Sequence, residues 1–142
     1  MNKVLIIDDE DQLRGLLSRI IGLEGYEVFQ ADSCKNGLKQ LALHDPDVVL
    51  CDVRLPDGNG VELIAEIKRV KPLVEVIMLT AHGNIPDGVQ AIKNGAFDYL
   101  TKGDDNNRII PLISRAMEQV ARAKRECQAV PPAGREYSFD TI

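Results

Sequence analysis

Five short apolar runs, "KVLII", "YEVFQ", "DVVLC", "VEVIML" and "FDYLT", recur along the 142-residue chain, separated by stretches whose apolar residues fall three and four apart. Runs of that length read as strands, and the three-and-four spacing reads as amphipathic helices. Strand and helix therefore alternate five times. The first, third and fourth runs are close to uniformly apolar, as suits strands covered by helices on both faces. The pattern predicts an α/β domain, a doubly wound five-stranded parallel sheet with helices on both sides.

The helices have legible ends. Leu13, Leu16, Leu17, Ile20, Ile21 and Leu23 mark the first helical face, which stops at Gly25. Ser33 is placed to cap a second helix carrying Leu38 and Leu41, and Val61, Ile64, Ile67 and Val70 mark a third, ended by Pro72. Val89 and Ile92 indicate a short fourth, closed by Gly95, while Ile109, Leu112, Ile113, Met117 and Val120 mark a long fifth.

Composition narrows the function classes. With 17 Lys and Arg against 22 Asp and Glu, the net charge is -5. A surface of that sign repels phosphate backbones, so direct nucleic-acid binding by this segment is not expected. No run approaches the length of a membrane helix and no signal-peptide pattern is present, so a cytoplasmic, soluble protein is expected. Cys34, Cys51 and Cys127 lie far apart and match no metal-ligand spacing.

In open α/β sheets the functional crevice lies beyond the carboxyl ends of the strands, so the residues that follow the strands should converge. Asp8 and Asp9 follow the first strand, Asp52 the third, Thr80 the fourth and Lys102 the fifth. Gathered carboxylates repel one another, and an all-oxygen set with few protein donors suits Mg²⁺. A carboxylate beside that ion can act as a nucleophile toward phosphorus, with Lys102 and Thr80 meeting the phosphoryl oxygens. Plainer roles compete at each position. Asp8 or Asp9 can cap a helix, Glu10 and Asp11 can be first-turn charges, Asp57 to Gly60 can be turn residues, and Lys102 an ordinary surface lysine.

The stretches "LIIDDED", "VVLCDVRLPDGNGVEL", "VIMLTAHG" and "AFDYLTK" together resemble the receiver domains of bacterial two-component response regulators. The resemblance implies a flavodoxin-like (βα)5 fold with strand order 2-1-3-4-5, taking residues 1–126 as the receiver. It implies that Asp8, Asp9 and Asp52 hold Mg²⁺, and that Asp52 accepts a phosphoryl group from a sensor histidine kinase. Lys102 and Thr80 assist in that scheme, and Thr80 and Tyr99 move together in switching. Arg54 and His82, each two residues beyond a site residue, shape the access of water to the acyl phosphate. Such a chain is a phosphoacceptor switch with slow self-dephosphorylation, not an enzyme that turns over a substrate. One departure is plain: Gly103 follows Lys102 where the family usually has proline. A cis bond before a non-proline residue costs about 2.5 to 4 kcal/mol, so a trans Lys102–Gly103 peptide is expected.

Residues 127–142 read as a linker broken by Pro131, Pro132 and Gly134. The closing "YSFDTI" resembles the opening of the ATPase domain in nitrogen-regulator-type (sigma-54-dependent) transcriptional activators, so a downstream effector domain is the expected partner. Ile109, Ile113, Ala116, Val120, Ala123 and Cys127 also follow the four-and-three spacing of a coiled-coil seam, and reversible homodimers through the fifth helix are expected. Two alternatives compete, the first through shared Mg²⁺ and aspartyl-phosphate chemistry and the second through shared topology. A haloacid-dehalogenase-like phosphatase would use Asp9 and Asp11, two residues apart, although Leu13 stands where Thr or Val is usual. An FMN-binding module would want a Ser/Thr/Gly phosphate loop where "DDED" stands.

Overall fold

The computed structural model describes residues 2–80, 85–101 and 106–129, without side-chain detail at 85–88, 106 and 126–129. The elements are β1 (Lys3–Ile7), α1 (Asp11–Leu23), β2 (Glu27–Ala31), α2 (Cys34–His44), β3 (Val48–Asp52), α3 (Gly60–Val70), β4 (Glu75–Thr80), α4 (Ile85–Lys93), β5 (Asp98–Thr101) and α5 (Ile109–Ala129). A 3₁₀ turn, Asn106–Arg108, leads into α5. The strands form one parallel sheet in the order β2-β1-β3-β4-β5, as the resemblance implied. Between β3 and α3 the chain makes a small antiparallel ribbon, Arg54–Leu55 against Gly58–Asn59, from the residues that read as a turn.

Alternate strand residues point to opposite faces, and the central strands feed two cores. Val4, Ile6, Val48, Leu50, Ile77 and Leu79 pack with α1 and α5, while Leu5, Ile7, Val49, Cys51, Val76 and Met78 pack with α2, α3 and α4. Each large side chain fully buried this way contributes about 1.5 to 3 kcal/mol. The helix signals operate as expected. Gly25 and Gly95 adopt left-handed backbone at φ 95° and 110°, and Ser33 Oγ accepts from the Asn36 N–H at 3.1 Å.

The buried side of a helix does not always follow its apolar spacing. In α4, Val89 and Ile92 are 45% and 44% exposed, while Ala91 is fully buried. Apolar spacing identified the helix but not the side it turns to the sheet, and the methyl of Ala91 makes the core contact. In α5, Ile109, Ile113, Ala116 and Val120 are buried in the domain's own core. The first four positions of the coiled-coil spacing are thus used within the fold, Ala123 is half-buried, and the Cys127 side chain lies outside the described residues. Among the described residues, no helix is long and apolar enough to cross a membrane.

Candidate functional site at the carboxyl end of the sheet

Register sets the geometry of the site. Ile7 lies opposite Cys51 and Asp52 opposite Leu79, so Asp8, the first residue beyond β1, stands level with Asp52. Thr80 ends β4 opposite Thr101. These three are polar residues inside the core: Asp8 is 0%, Thr80 1% and Asp52 6% exposed. Burying polar side chains is costly unless they are satisfied, which marks the spot as a place where the fold gives up apolar packing.

One carboxylate oxygen from each of Asp8, Glu10 and Asp52 lies within 4.8 Å of the other two. Unit charges about 4 Å apart interact by roughly 4 kcal/mol near a protein surface, so three acids held this close call for positive charge beside them. The surrounding bonds fix the acids in place. Asp8 donates its N–H to the Ala31 carbonyl at 3.0 Å, and its Oδ1 accepts from the Glu10 N–H at 2.9 Å. Arg14 donates to the Asp8 carbonyl at 2.6 Å, bonds Asp11 at 2.6 Å and reaches Gln30 at 3.0 Å, tying α1 to β2 under the cluster. On the other side, the Arg54 N–H approaches Asp52 Oδ1 at 3.4 Å.

The acidic group differs in membership from the expected one. Asp9 is exposed and stands outside the three, whereas Glu10, read in the sequence as a helix-start charge, belongs to them. Glu10 occupies the N-cap position of α1, but its side chain makes no capping bond there. Sequence spacing cannot separate these neighbours, because the chain turns between strand and helix and successive side chains diverge. Asp9 and Asp11, the pair required by the phosphatase alternative, are both exposed, and Asp11 is held by Arg14.

Thr80 Oγ1 donates to the Leu100 carbonyl at 3.3 Å. Tyr99 is partly buried against the core shared with α2 to α4, with its N–H donating to Asp98 Oδ1 at 2.7 Å. Arg54 is exposed. Lys102, Gly103 and His82 lie outside the described residues. Beside the site, burial pushes the Cys51 thiol well above its ordinary value, with Cys34, Asp52 and Asp8 adding to the effect.

Two further residues went unrecognised in the sequence. Gly60 donates to the Val53 carbonyl at 2.6 Å, and a Cβ on it would collide with the carbonyl oxygen of Asp52. Asp57, which read as an ordinary turn residue, reaches across to α2 and accepts from the Cys34 N–H at 2.8 Å and the Lys35 N–H at 3.0 Å. Only the "PDGNG" composition hinted at either.

Comparison with known proteins gives this arrangement a context. Residues 4–114 match the family model described as the response regulator receiver domain. The chain is 42% identical over 123 residues to the transcriptional regulatory protein GlrR of Escherichia coli K12, covering 87% of this chain and 28% of that protein. It superposes on NtrX from Brucella abortus, crystallised with ADP, with a TM-score of 0.83 at 34% identity, covering 90% of this chain and 30% of that one. The beryllofluoride-activated NtrC4 receiver domain dimer matches with a TM-score of 0.79 at 36% identity, covering 84% of this chain and 99% of that one. The chain thus spans under a third of the length of the curated relatives it matches. None of these relatives lends support to the phosphatase alternative. With its fold, its acidic cluster and the match over residues 4–114 in agreement, the chain belongs to the receiver-domain family of response regulators.

Proposed function

We propose that the chain is a phosphorylation-dependent switch in which Asp52 accepts a phosphoryl group from a sensor histidine kinase and passes the resulting change to a downstream effector domain. The observation that carries this reading is the convergence of Asp8, Glu10 and Asp52, with buried Thr80 at the same end of the sheet, where open α/β folds present their ligands. An all-carboxylate donor set fits a hard cation such as Mg²⁺. Asp8 and Asp52 hold it, with Asp9 and Glu10 of the same turn competing for the remaining place. When bound, Mg²⁺ supplies the positive charge that lets an anionic phosphoryl group approach an anionic acceptor.

An Asp52 carboxylate oxygen attacks the phosphorus of the kinase phosphohistidine, a P–O bond forms, the P–N bond breaks, and the imidazole leaves with the bonding pair. Lys102 pairs with the transferred oxygens. Thr80 turns its hydroxyl from the Leu100 carbonyl toward the phosphoryl group, and Tyr99 follows, reshaping the surface of α4 and β5. Arg54 and His82 shape the access of water to the acyl phosphate and so its rate of hydrolysis. Slow self-dephosphorylation is then the only turnover.

Residues 1–126 form the receiver, and 127–142 lead into an ATPase domain of a transcriptional activator; that a further domain follows is in keeping with GlrR, a transcriptional regulatory protein of which this chain spans 28%. The part of α5 beyond Val120, the last of its residues in the core, adds to a homodimer contact, in keeping with the NtrC4 receiver dimer. Sedimentation at high concentration, with and without a phosphate mimic, tests that contact, and monomer throughout counts against it. The acceptor is tested by intact mass after incubation of the 142-residue chain with a small acyl-phosphate donor. Gain of one phosphoryl group by wild type with Mg²⁺ is expected. Gain by Asp52→Asn, or undiminished gain in EDTA, overturns the assignment.

A further inference from the structure

The loop between β3 and α3 leaves the sheet at Asp52 and returns at Gly60, and its base is pinned tightly. Val53 donates its N–H to the Leu79 carbonyl at 3.2 Å, Gly60 donates to the Val53 carbonyl at 2.6 Å, and Asn59 Oδ1 caps α3 by accepting from the Val61 N–H at 2.7 Å. The ribbon between these pins carries Arg54, whose N–H approaches the Asp52 carboxylate at 3.4 Å. The tip is tethered as well, and to a different part of the molecule. Both oxygens of Asp57 accept from the first two amides of α2, at 2.8 and 3.0 Å. At the next residue, a Cβ on Gly58 would press against Cys34 Sγ at 3.1 Å, so the loop lies directly against the start of that helix.

Amides in the first helical turn have no partners within the helix, and α2 receives two kinds. Ser33 satisfies the Asn36 N–H from within the same segment. Asp57 satisfies Cys34 and Lys35 from more than twenty residues away in sequence. A local cap serves only the helix, whereas a distant one also holds the segment that supplies it. We infer that Asp57 is a positioning residue: it fastens the loop tip to α2 and through the ribbon sets the Arg54 N–H against the Asp52 carboxylate. The inference rests on the proposed acceptor role of Asp52. The Lys35 and Cys34 amides also hold the Asp57 carboxyl below its ordinary value.

Comparing the two caps separates positioning from helix stabilisation. Asp57→Ala, Asp57→Asn and Ser33→Ala in the 142-residue chain are followed by thermal melting, by the time course of phosphoryl incorporation from a small acyl-phosphate donor with Mg²⁺, and by the amide shift of Arg54. Both alanine variants lose thermal stability. Asp57→Ala is expected to slow incorporation about fivefold or more, within what misplacement of a reacting group can cost, and to move the Arg54 resonance. Asp57→Asn, which keeps one acceptor oxygen, falls between, and Ser33→Ala stays within about twofold of wild type, since its cap does not touch the loop. Equal slowing by Ser33→Ala and Asp57→Ala, or an unchanged rate and Arg54 shift in Asp57→Ala, overturns the inference. A wild type that takes up no phosphoryl group overturns the acceptor reading itself and this inference with it, a result distinct from a wild type that reacts and an Asp57→Ala variant that matches it.

Discussion

The two ends of the sheet handle charge in opposite ways. At the amino end, Asp45 pairs with Lys71 at 3.2 Å, and Asp47 accepts from Lys124 at 2.9 Å and from the Lys3 N–H at 3.0 Å. These contacts rim an apolar groove of about 380 Å³ floored by Pro46, Pro72, Val74 and Val120. At the carboxyl end, Asp8, Glu10 and Asp52 are brought close to one another, two of them buried. The same strands run through both ends. The difference teaches that the fold spends acids on lysine and backbone partners at one end and gathers them at the other into a group that could hold a cation. Gathering is possible only because β1 and β3 are buried and in register, leaving the acids little room to swing apart.

Several substitutions would break or sharpen this contrast. The largest effect is expected at the acceptor: Asp52→Asn should abolish phosphoryl incorporation, while Asp45→Asn leaves it unchanged, both read by intact mass. If the amino-end variant also stopped incorporation, the two ends would not be functionally separate. Next is Gly60→Ala, whose added methyl meets backbone at Asp52. A loss of about 3 kcal/mol in denaturant unfolding is expected, as for other backbone-level clashes. A neutral result would mean that the loop relaxes away from the acceptor without penalty.

Metal binding sharpens the contrast further. Glu10→Gln and Asp9→Asn should differ in Mg²⁺ affinity followed by titration, because the structure brings only Glu10 into the group of three. A loss of about tenfold in Glu10→Gln, worth ~1.4 kcal/mol, is expected, and the reverse ranking would assign the remaining place to Asp9. A smaller effect follows from pH. Because the Asp57 carboxyl is held below its ordinary value of 3.8 by the Lys35 and Cys34 amides, its contribution is complete above that value and disappears as pH falls through the lowered one. The stability gap between wild type and Asp57→Asn should therefore close on acidification through that range, and a constant gap would refute the linkage. The smallest effect is expected at the amino end. Lys71→Met removes a largely solvated ion pair, and a change below about 1 kcal/mol is expected, shrinking with salt.

Much of this molecule was legible in order along the chain. The alternation of uniformly apolar runs with three-and-four spacing determined a parallel α/β sheet, because only buried strands between helices need apolar residues on both faces. Local signals acted locally: Ser33 caps α2, and Gly25 and Gly95 take left-handed backbone where their helices stop. The placement of Asp8, Asp52 and Thr80 at one end of the sheet was likewise legible, since strand ends in a parallel sheet share one side.

Tertiary structure decided what depends on direction and distance in space. It turned Ala91 to the core of α4 and left Val89 and Ile92 outside, because spacing gives a face but not its neighbour. It chose Glu10 over Asp9 for the acidic cluster, because the turn into α1 sends adjacent side chains apart. It also carried Asp57 onto the amino end of α2 and brought Gly60 against the Asp52 carbonyl. Those contacts join residues that local pattern treats as an ordinary turn, and their partners exist only once β3, α2 and α3 have packed.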